Sequence, residues 1–200
     1  MRPIRLQRSA RQRGAGYTLV ELMMALALFT VAVLGIISLQ KLMVVSGAHA
    51  KNMSVAERIA ESWAAQLQMD STAWRVTTGT TVWLGGVDGG WIRPGYAPSA
   101  NFGAAFDALG SPLSDTSGDL ARARYCSHVR LTTLYPSTGL VTGNGMVRAE
   151  IRVFWLRDGE ADLVPASGLC SVTQDEDDIG QAFDRYHFLY HATGVRQHST

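Results

Sequence analysis

Acidic residues are missing from the first 16 positions of this 200-residue chain, although those positions hold five Arg. The other 184 residues carry 13 basic and 17 acidic side chains, so the formal net charge of +1 hides a basic leader ahead of a mildly acidic body. A basic stripe spread over a folded face, the footprint of nucleic-acid binding, is therefore lacking, and no nucleic-acid partner is expected. Charge of either sign is missing from residues 22–40 (LMMALALFTVAVLGIISLQ), where Thr30, Ser38 and Gln40 are the polar interruptions. Proline is missing between Pro3 and Pro94, and only four of the 20 Gly precede residue 79. Cysteine is limited to two. A chain of this length suits one modest domain plus an appendage and excludes a large multidomain enzyme.

The uncharged run has membrane-spanning length, since a bilayer core of about 30 Å needs about 20 mostly apolar helical residues. Arg2, Arg5, Arg8, Arg11 and Arg13 precede it, whereas Lys41, His49 and Lys51 follow. The positive-inside bias then keeps residue 1 cytoplasmic and sends residues beyond about 45 across the inner membrane. After the span, Val55, Ile59, Trp63 and Leu67 recur every fourth residue beside Ala56, Ala60 and Ala64, with Glu57, Arg58 and Glu61 around the remaining circumference. That spacing predicts an amphipathic continuation that needs a partner surface. A helix from Tyr17 to about Arg75 rises about 90 Å, with Thr77, Thr78 and Gly79 as its stop.

From residue 79 onward the style changes: 16 Gly and five of the six Pro fall there, and short alternating runs replace the helical period. Met146 to Leu156 reads as a strand with Val147, Ala149, Ile151, Val153 and Trp155 on one face and Arg148, Glu150 and Arg152 on the other, followed by an Asp158-Gly159 turn. Tyr125 to Tyr135 alternates more loosely, and the loop Pro136 to Gly145 predicts a hairpin between the two. Tyr186, Phe188 and Tyr190 mark a last strand, and Thr80 to Leu84 a weaker first one. Residues 85–121 read as a long irregular loop with a short helix near Ala104 to Leu109.

Where the basic leader meets the apolar run, the chain reads Gly16-Tyr17-Thr18-Leu19-Val20-Glu21-Leu22. This resembles the type IV prepilin signature, in which a basic leader ends in Gly, an aromatic follows, and a Thr-Leu-[Val/Ile]-Glu stretch opens a long apolar helix. Tyr17 stands where Phe is commoner. The resemblance implies cleavage after Gly16 by an inner-membrane prepilin peptidase, methylation of the new Tyr17 amine, and a role for Glu21 in methylation and in recruitment beside a preceding subunit. Physically, Gly16 places no side chain beside the scissile bond, and a carboxylate such as Glu21 inside an apolar helix costs about 2.5–3.5 kcal/mol on insertion scales unless it is compensated. One turn from a new amino terminus, the helix dipole and an amine supply that compensation.

The implied fold class is α+β, a long N-terminal helix packed on an antiparallel β domain. Its expected divisions are a cleaved leader (1–16), a transmembrane or filament-core half of the helix (17–45), an amphipathic half (46–78) and a periplasmic β-rich domain (79–200). By this topology Cys126 and Cys170 lie in a disulfide-forming compartment, and a bridge between them closes a 44-residue separation; two buried free thiols are the competing reading. Asp175, Glu176, Asp177 and Asp178 could offer oxygens to Ca²⁺, as some secretion pseudopilins do near their C-terminal loops, but four consecutive acids read first as a solvated loop and no metal site is expected.

No catalytic constellation stands out, and no cofactor motif is present. His187 and His191 would sit about 13 Å apart on a strand, too far to share an ion. Ser38-x-x-Lys41 matches a Ser-Lys pattern, but it falls at the end of the membrane helix. The expected protein is therefore not an enzyme but a minor pilin, with residues 33–40 and the Ala-rich helix most like the PilV-type members. Its implied partners are prepilin peptidase, other minor pilins, the major pilin and the inner-membrane assembly platform. The alternatives are a minor pseudopilin of type II secretion or DNA uptake and, in another class, a membrane-anchored periplasmic enzyme or binding domain. An ordinary secretory signal cut near Ala48-His49-Ala50 also competes, although the apolar core of such a signal usually spans only about 7–15 residues and this run has 19.

Overall fold

A computed structural model describes residues 17–71, 89–135, 145–157, 168–172 and 176–196. The chain divides into two compact units, residues 1–48 and 49–200. Helix α1 (Leu19–Asp70, 52 residues) begins in the first and ends in the second. The second unit adds β1 (Ala105–Phe106), α2 (Ser117–Leu120), β2 (Tyr125–Tyr135), β3 (Met146–Leu156), α3 (Glu176–Gln181) and β4 (Tyr186–Arg196). This α+β order, a long apolar N-terminal helix and then an antiparallel sheet, is the architecture that the prepilin resemblance implies.

In the first unit, α1 presents large apolar side chains on all sides. Apart from Val33, which is half-buried, each of those from Leu19 to Val45 is at least half exposed within the chain. The helix is long and apolar enough to cross a membrane. Its polar interruptions are turned onto its own backbone, with Thr30 Oγ1 donating to Ala27 O at 2.8 Å and Ser38 Oγ to Leu34 O at 3.0 Å. Hydroxyls satisfied in this way are tolerable in lipid, and the Ser38 hydroxyl is accordingly not set up toward Lys41.

In the second unit, the four-stranded sheet has the order β1-β2-β3-β4 with every pair antiparallel. The β2–β3 hairpin and the last strand form where the alternation placed them; the connecting residues 136–144, the Thr80 to Leu84 run, the helix stop at 77–79 and the Asp158-Gly159 turn lie outside the described residues. Residues 104–109 are not helical. Ala105 and Phe106 pair with Cys126 and Tyr125 as a short strand instead. Local helix preference of Ala is weak against the burial of Phe106, which joins the core at 1% exposure.

The helical stripe Val55, Ile59, Trp63 and Leu67, with Ala56 and Ala60, packs into one cluster with Val129, Leu131, Val147, Ala149, Ile151, Val153 and Trp155. Ala56 and Ala60 bring the helix backbone close to the sheet. Trp63 fixes the position: its Nε1 donates to Ser127 Oγ at 2.7 Å, and Ser127 Oγ donates onward to Ala104 O at 3.1 Å. Its ring also meets Phe102 edge-on at 4.8 Å.

The other face of β3 departs from the expected polar surface. Arg148 remains exposed, but Glu150 is half-buried and Arg152 is 1% exposed. A second apolar cluster, including Phe154, Leu120, Leu169, Ile179, Tyr186 and the Cys126–Cys170 pair, covers that end of the sheet. Segments distant in sequence supply this cover, so strand alternation alone does not reveal it.

Trp63→Ala is expected to lower the urea unfolding free energy of the full chain in detergent by about 3–5 kcal/mol, the range for buried Trp truncation. Trp63→Phe, which keeps a ring and loses the N–H to Ser127, should cost less. A loss below about 1 kcal/mol for Trp63→Ala would contradict the helix stripe as part of the domain core.

Candidate functional site

The N-terminal site is built on the first turn of α1. Thr18 precedes the helix, and its Oγ1 accepts the Glu21 backbone N–H at 3.3 Å while its carbonyl accepts Leu22 N–H at 3.2 Å. Thr18-Leu19-Val20-Glu21 thus has the spacing of a capping box, in which a hydroxyl at the cap satisfies the third backbone donor of the helix. The Thr-x-x-Glu spacing is open to sequence inspection, although the significance read there for Glu21 rests on its charge and on the prepilin resemblance. Glu21 lies in the acidic-favouring first turn, where the helix dipole stabilises a carboxylate. Tyr17 is 84% exposed. Gly16 lies outside the described residues.

A different polar site lies on the outer face of the sheet. Cys126 and Cys170 form a disulfide with a Cα–Cα distance of 5.3 Å, tying the start of β2 to the segment 168–172. Gly168, at φ +87°, lies so close to α2 that a Cβ would stand 2.4 Å from Leu120 O, so only glycine fits ahead of the bridge. Arg93 Nε donates to Cys170 O at 3.1 Å, and the Arg93 guanidinium also pairs with the Asp115 carboxylate, whose other oxygen accepts Tyr96 N–H at 2.7 Å.

Next to this pair, His128 on β2 and Arg152 on β3 face each other in register. Arg152 donates through Nη2 to His128 Nδ1 at 2.7 Å and to Glu176 O at 2.6 Å, and its guanidinium lies 4.6 Å from the Trp91 ring centre. Gly180 makes room for it, because a Cβ there would meet Arg152 Nη1 at 2.6 Å. An arginine only donates, so Nδ1 of His128 is the acceptor and the ring proton sits on Nε2. That Nε2 is buried without a hydrogen-bond partner among the described residues, and Phe154 packs edge-on at 4.9 Å. Burial, then the Arg152 and Arg93 charges, push the His128 pKa down from 6.5 to about 3. Burial lowers that of Arg152, with Tyr190, Asp177 and Glu176 opposing. The cluster holds segments 91–96, 168–172 and α3 onto the sheet; a neutral, buried His128 is poorly placed for proton transfer near neutral pH.

The acidic run is not an open loop where it is described. Glu176, Asp177 and Asp178 form the first turn of α3, and Glu176 Oε1 accepts Arg93 N–H at 3.3 Å. Asp175 lies outside the described residues. Among the described residues no group of three or more His, Cys, Asp or Glu is arranged to hold a metal ion. His187 and His191 both fall on β4, and His187 packs against Trp155 and His49 at 5.5 and 5.0 Å between ring centres. No sequence signal singled out Arg93, Asp115, His128 or Arg152, because their meeting depends on strand register and on loops that cross the sheet.

The depressed His128 value has a defined pH consequence. The folded state keeps the ring neutral down to about pH 3, whereas the unfolded chain takes a proton below about 6.5. The stability this residue contributes is therefore present above pH 6.5 and is lost as pH falls toward 3, at up to about 1.4 kcal/mol per pH unit. His128→Asn keeps an acceptor for Arg152 and does not titrate. Urea unfolding of the two proteins between pH 7 and 4 should show the parent losing stability faster than the variant; parallel curves would contradict the buried neutral histidine.

Comparison with known proteins bears on the N-terminal site. Residues 11–37 match a family model described as the prokaryotic N-terminal methylation motif. No curated protein and no solved structure matches the chain. The matched stretch covers the end of the basic leader, the capped turn with Glu21 and most of the uncharged run, and it supports a membrane-anchored type IV pilin-like or pseudopilin precursor, a structural subunit rather than an enzyme.

Proposed function

We propose that the chain is a minor pilin subunit of a type IV pilus, made as a single-pass inner-membrane precursor with a cytoplasmic leader and a periplasmic domain. Prepilin peptidase cuts it after Gly16, the Tyr17 amine is methylated, and the subunit helps to initiate or cap a filament with other minor pilins and the major pilin. The proposed divisions are the leader 1–16, the lipid- or filament-embedded segment 17–45, the amphipathic segment 46–78, within which α1 ends at Asp70, and the periplasmic domain 79–200. The observation that carries this reading is Glu21, the one charged residue between Arg13 and Lys41, held in the first turn of α1 at the head of its apolar stretch and inside the matched methylation motif. Placed there, a carboxylate is costly to a plain anchor and useful to a subunit that docks against an amine. The PilV-type assignment rests on residues 33–40 and the Ala-rich helix. A minor pseudopilin of type II secretion or DNA uptake shares the same N-terminal chemistry.

Glu21→Val separates docking from insertion. Removing the charge should favour membrane residence, by less than the roughly 2.5–3.5 kcal/mol assigned to central acids. Entry into filaments should fall by about tenfold or more, because the partner amine loses its counter-ion in a low-dielectric setting and each 1.4 kcal/mol is a factor of ten. The measurement is the ratio of subunit in sheared filaments or assembly complexes to subunit in membranes at matched expression. An unchanged ratio with cleavage intact would contradict the recruitment role.

A further inference from the structure

A cleft of about 860 Å³ in the second unit is lined by Lys51 and Asn52 of α1, Arg122, Arg124 and Tyr125 at the entry to β2, and Trp155 of β3, with small apolar residues between them. All three cations are exposed, and no carboxylate is among the described lining residues. Arg122 has a partial counter-ion in Asp119 at 3.8 Å, whereas Lys51 and Arg124 have no ion pair among the described residues. Asn52 uses its carbonyl oxygen on the Tyr125 hydroxyl at 3.0 Å, which leaves the amide NH₂ as the end that can donate. The wall is rich in cationic donors and holds no carboxylate among the described lining residues, so it suits an anionic group whose charged oxygens accept.

The covalent chain narrows the source of that anion. Lys51 follows Val45, the last residue of the apolar stretch, by six positions, and six residues reach at most about 22 Å even when fully extended. On the reading of α1 as a membrane anchor, on which this inference rests, one wall of the cleft is tethered within that distance of the lipid surface. We propose that the cleft binds the phosphodiester headgroup of an anionic phospholipid, with phosphatidylglycerol as the simplest example, while the subunit resides in the membrane. The phosphate meets Lys51, Arg122 and Arg124, and the glycerol hydroxyls remain on the solvent side of the cleft, where water satisfies them. Phospholipid binding would brace the domain at the bilayer, and it would have to be surrendered when the subunit leaves the membrane.

The test uses the full chain in a non-ionic detergent, titrated with dihexanoyl-phosphatidylglycerol below its micelle concentration. Dihexanoyl-phosphatidylcholine, inorganic phosphate and a hexaglutamate peptide form parallel arms, read by native mass spectrometry and calorimetry. Saturable binding of phosphatidylglycerol is expected, at least tenfold tighter than the other three. A basic side chain at an anionic lipid surface contributes about fivefold in affinity, so Lys51→Gln with Arg124→Gln should weaken binding about 25-fold, and Lys51→Gln alone about fivefold. Both positions are exposed, and an unchanged urea midpoint confirms that the variants are folded. Equal binding of the two lipids, phosphate binding as tightly as phosphatidylglycerol, tighter binding of the peptide, or variants that bind like the parent would each overturn the proposal. Membrane residence after a carbonate wash is read separately: a chain that stays in the membrane and yet ignores phosphatidylglycerol overturns the cleft assignment and leaves the anchor reading intact.

Discussion

An apolar helical surface has to be covered by something, and α1 carries two such surfaces with different solutions. Along residues 55–67 the apolar side chains form a stripe, and the sheet of the same unit covers it, with the Trp63 to Ser127 hydrogen bond fixing the register. Along residues 19–45 they point in every direction, and nothing in the first unit covers them. A stripe calls for a single packed neighbour, whereas an all-round surface calls for lipid or a ring of other helices. The match to the methylation motif at residues 11–37 and the position of Glu21 both fall on the stretch that opens that second surface.

The outer face of the sheet shows how the rest of the domain is closed. Strand β3 buries five consecutive residues, Ile151 to Trp155, because both of its faces are covered there. The inner cover is the α1 stripe, and the outer cover is assembled from loop segments, α3 and the disulfide. Covering that face traps two charged or polar partners, Arg152 and His128, which satisfy one another at one atom each and leave His128 Nε2 and Arg152 Nε without hydrogen-bond partners among the described residues. Breaking such a pair costs more than the pair contributes, so it specifies the arrangement of the loops more than it strengthens the fold.

What the sequence disclosed and what it withheld divide along the same line. The strands β2, β3 and β4 and the helix stripe were readable because period-two and period-four patterns are local, and the disulfide was readable from compartment and topology. Ala104 to Leu109 was misread because its Ala-rich composition favours a helix locally, while the sheet edge at Tyr125 and Cys126 captures Ala105 and Phe106. The burial of Arg152 was invisible for a related reason: Trp91, Glu176 and Gly180, which enclose it, approach from 24 to 61 positions away in sequence. At the N-terminal site the charge pattern exposed Glu21, but the capping role of Thr18 took the folded turn to notice.

Where the mature chain begins decides between a pilin-like subunit and its alternatives. Intact-mass and N-terminal peptide analysis of the protein extracted from membranes should find residues 17–200, starting at a singly methylated Tyr17 amine, with Cys126 and Cys170 still bridged. A chain that begins at residue 1 would make the leader a plain cytoplasmic extension of an anchor, and one that begins near residue 51 would make the apolar run an ordinary secretory signal; either result contradicts the pilin-like reading.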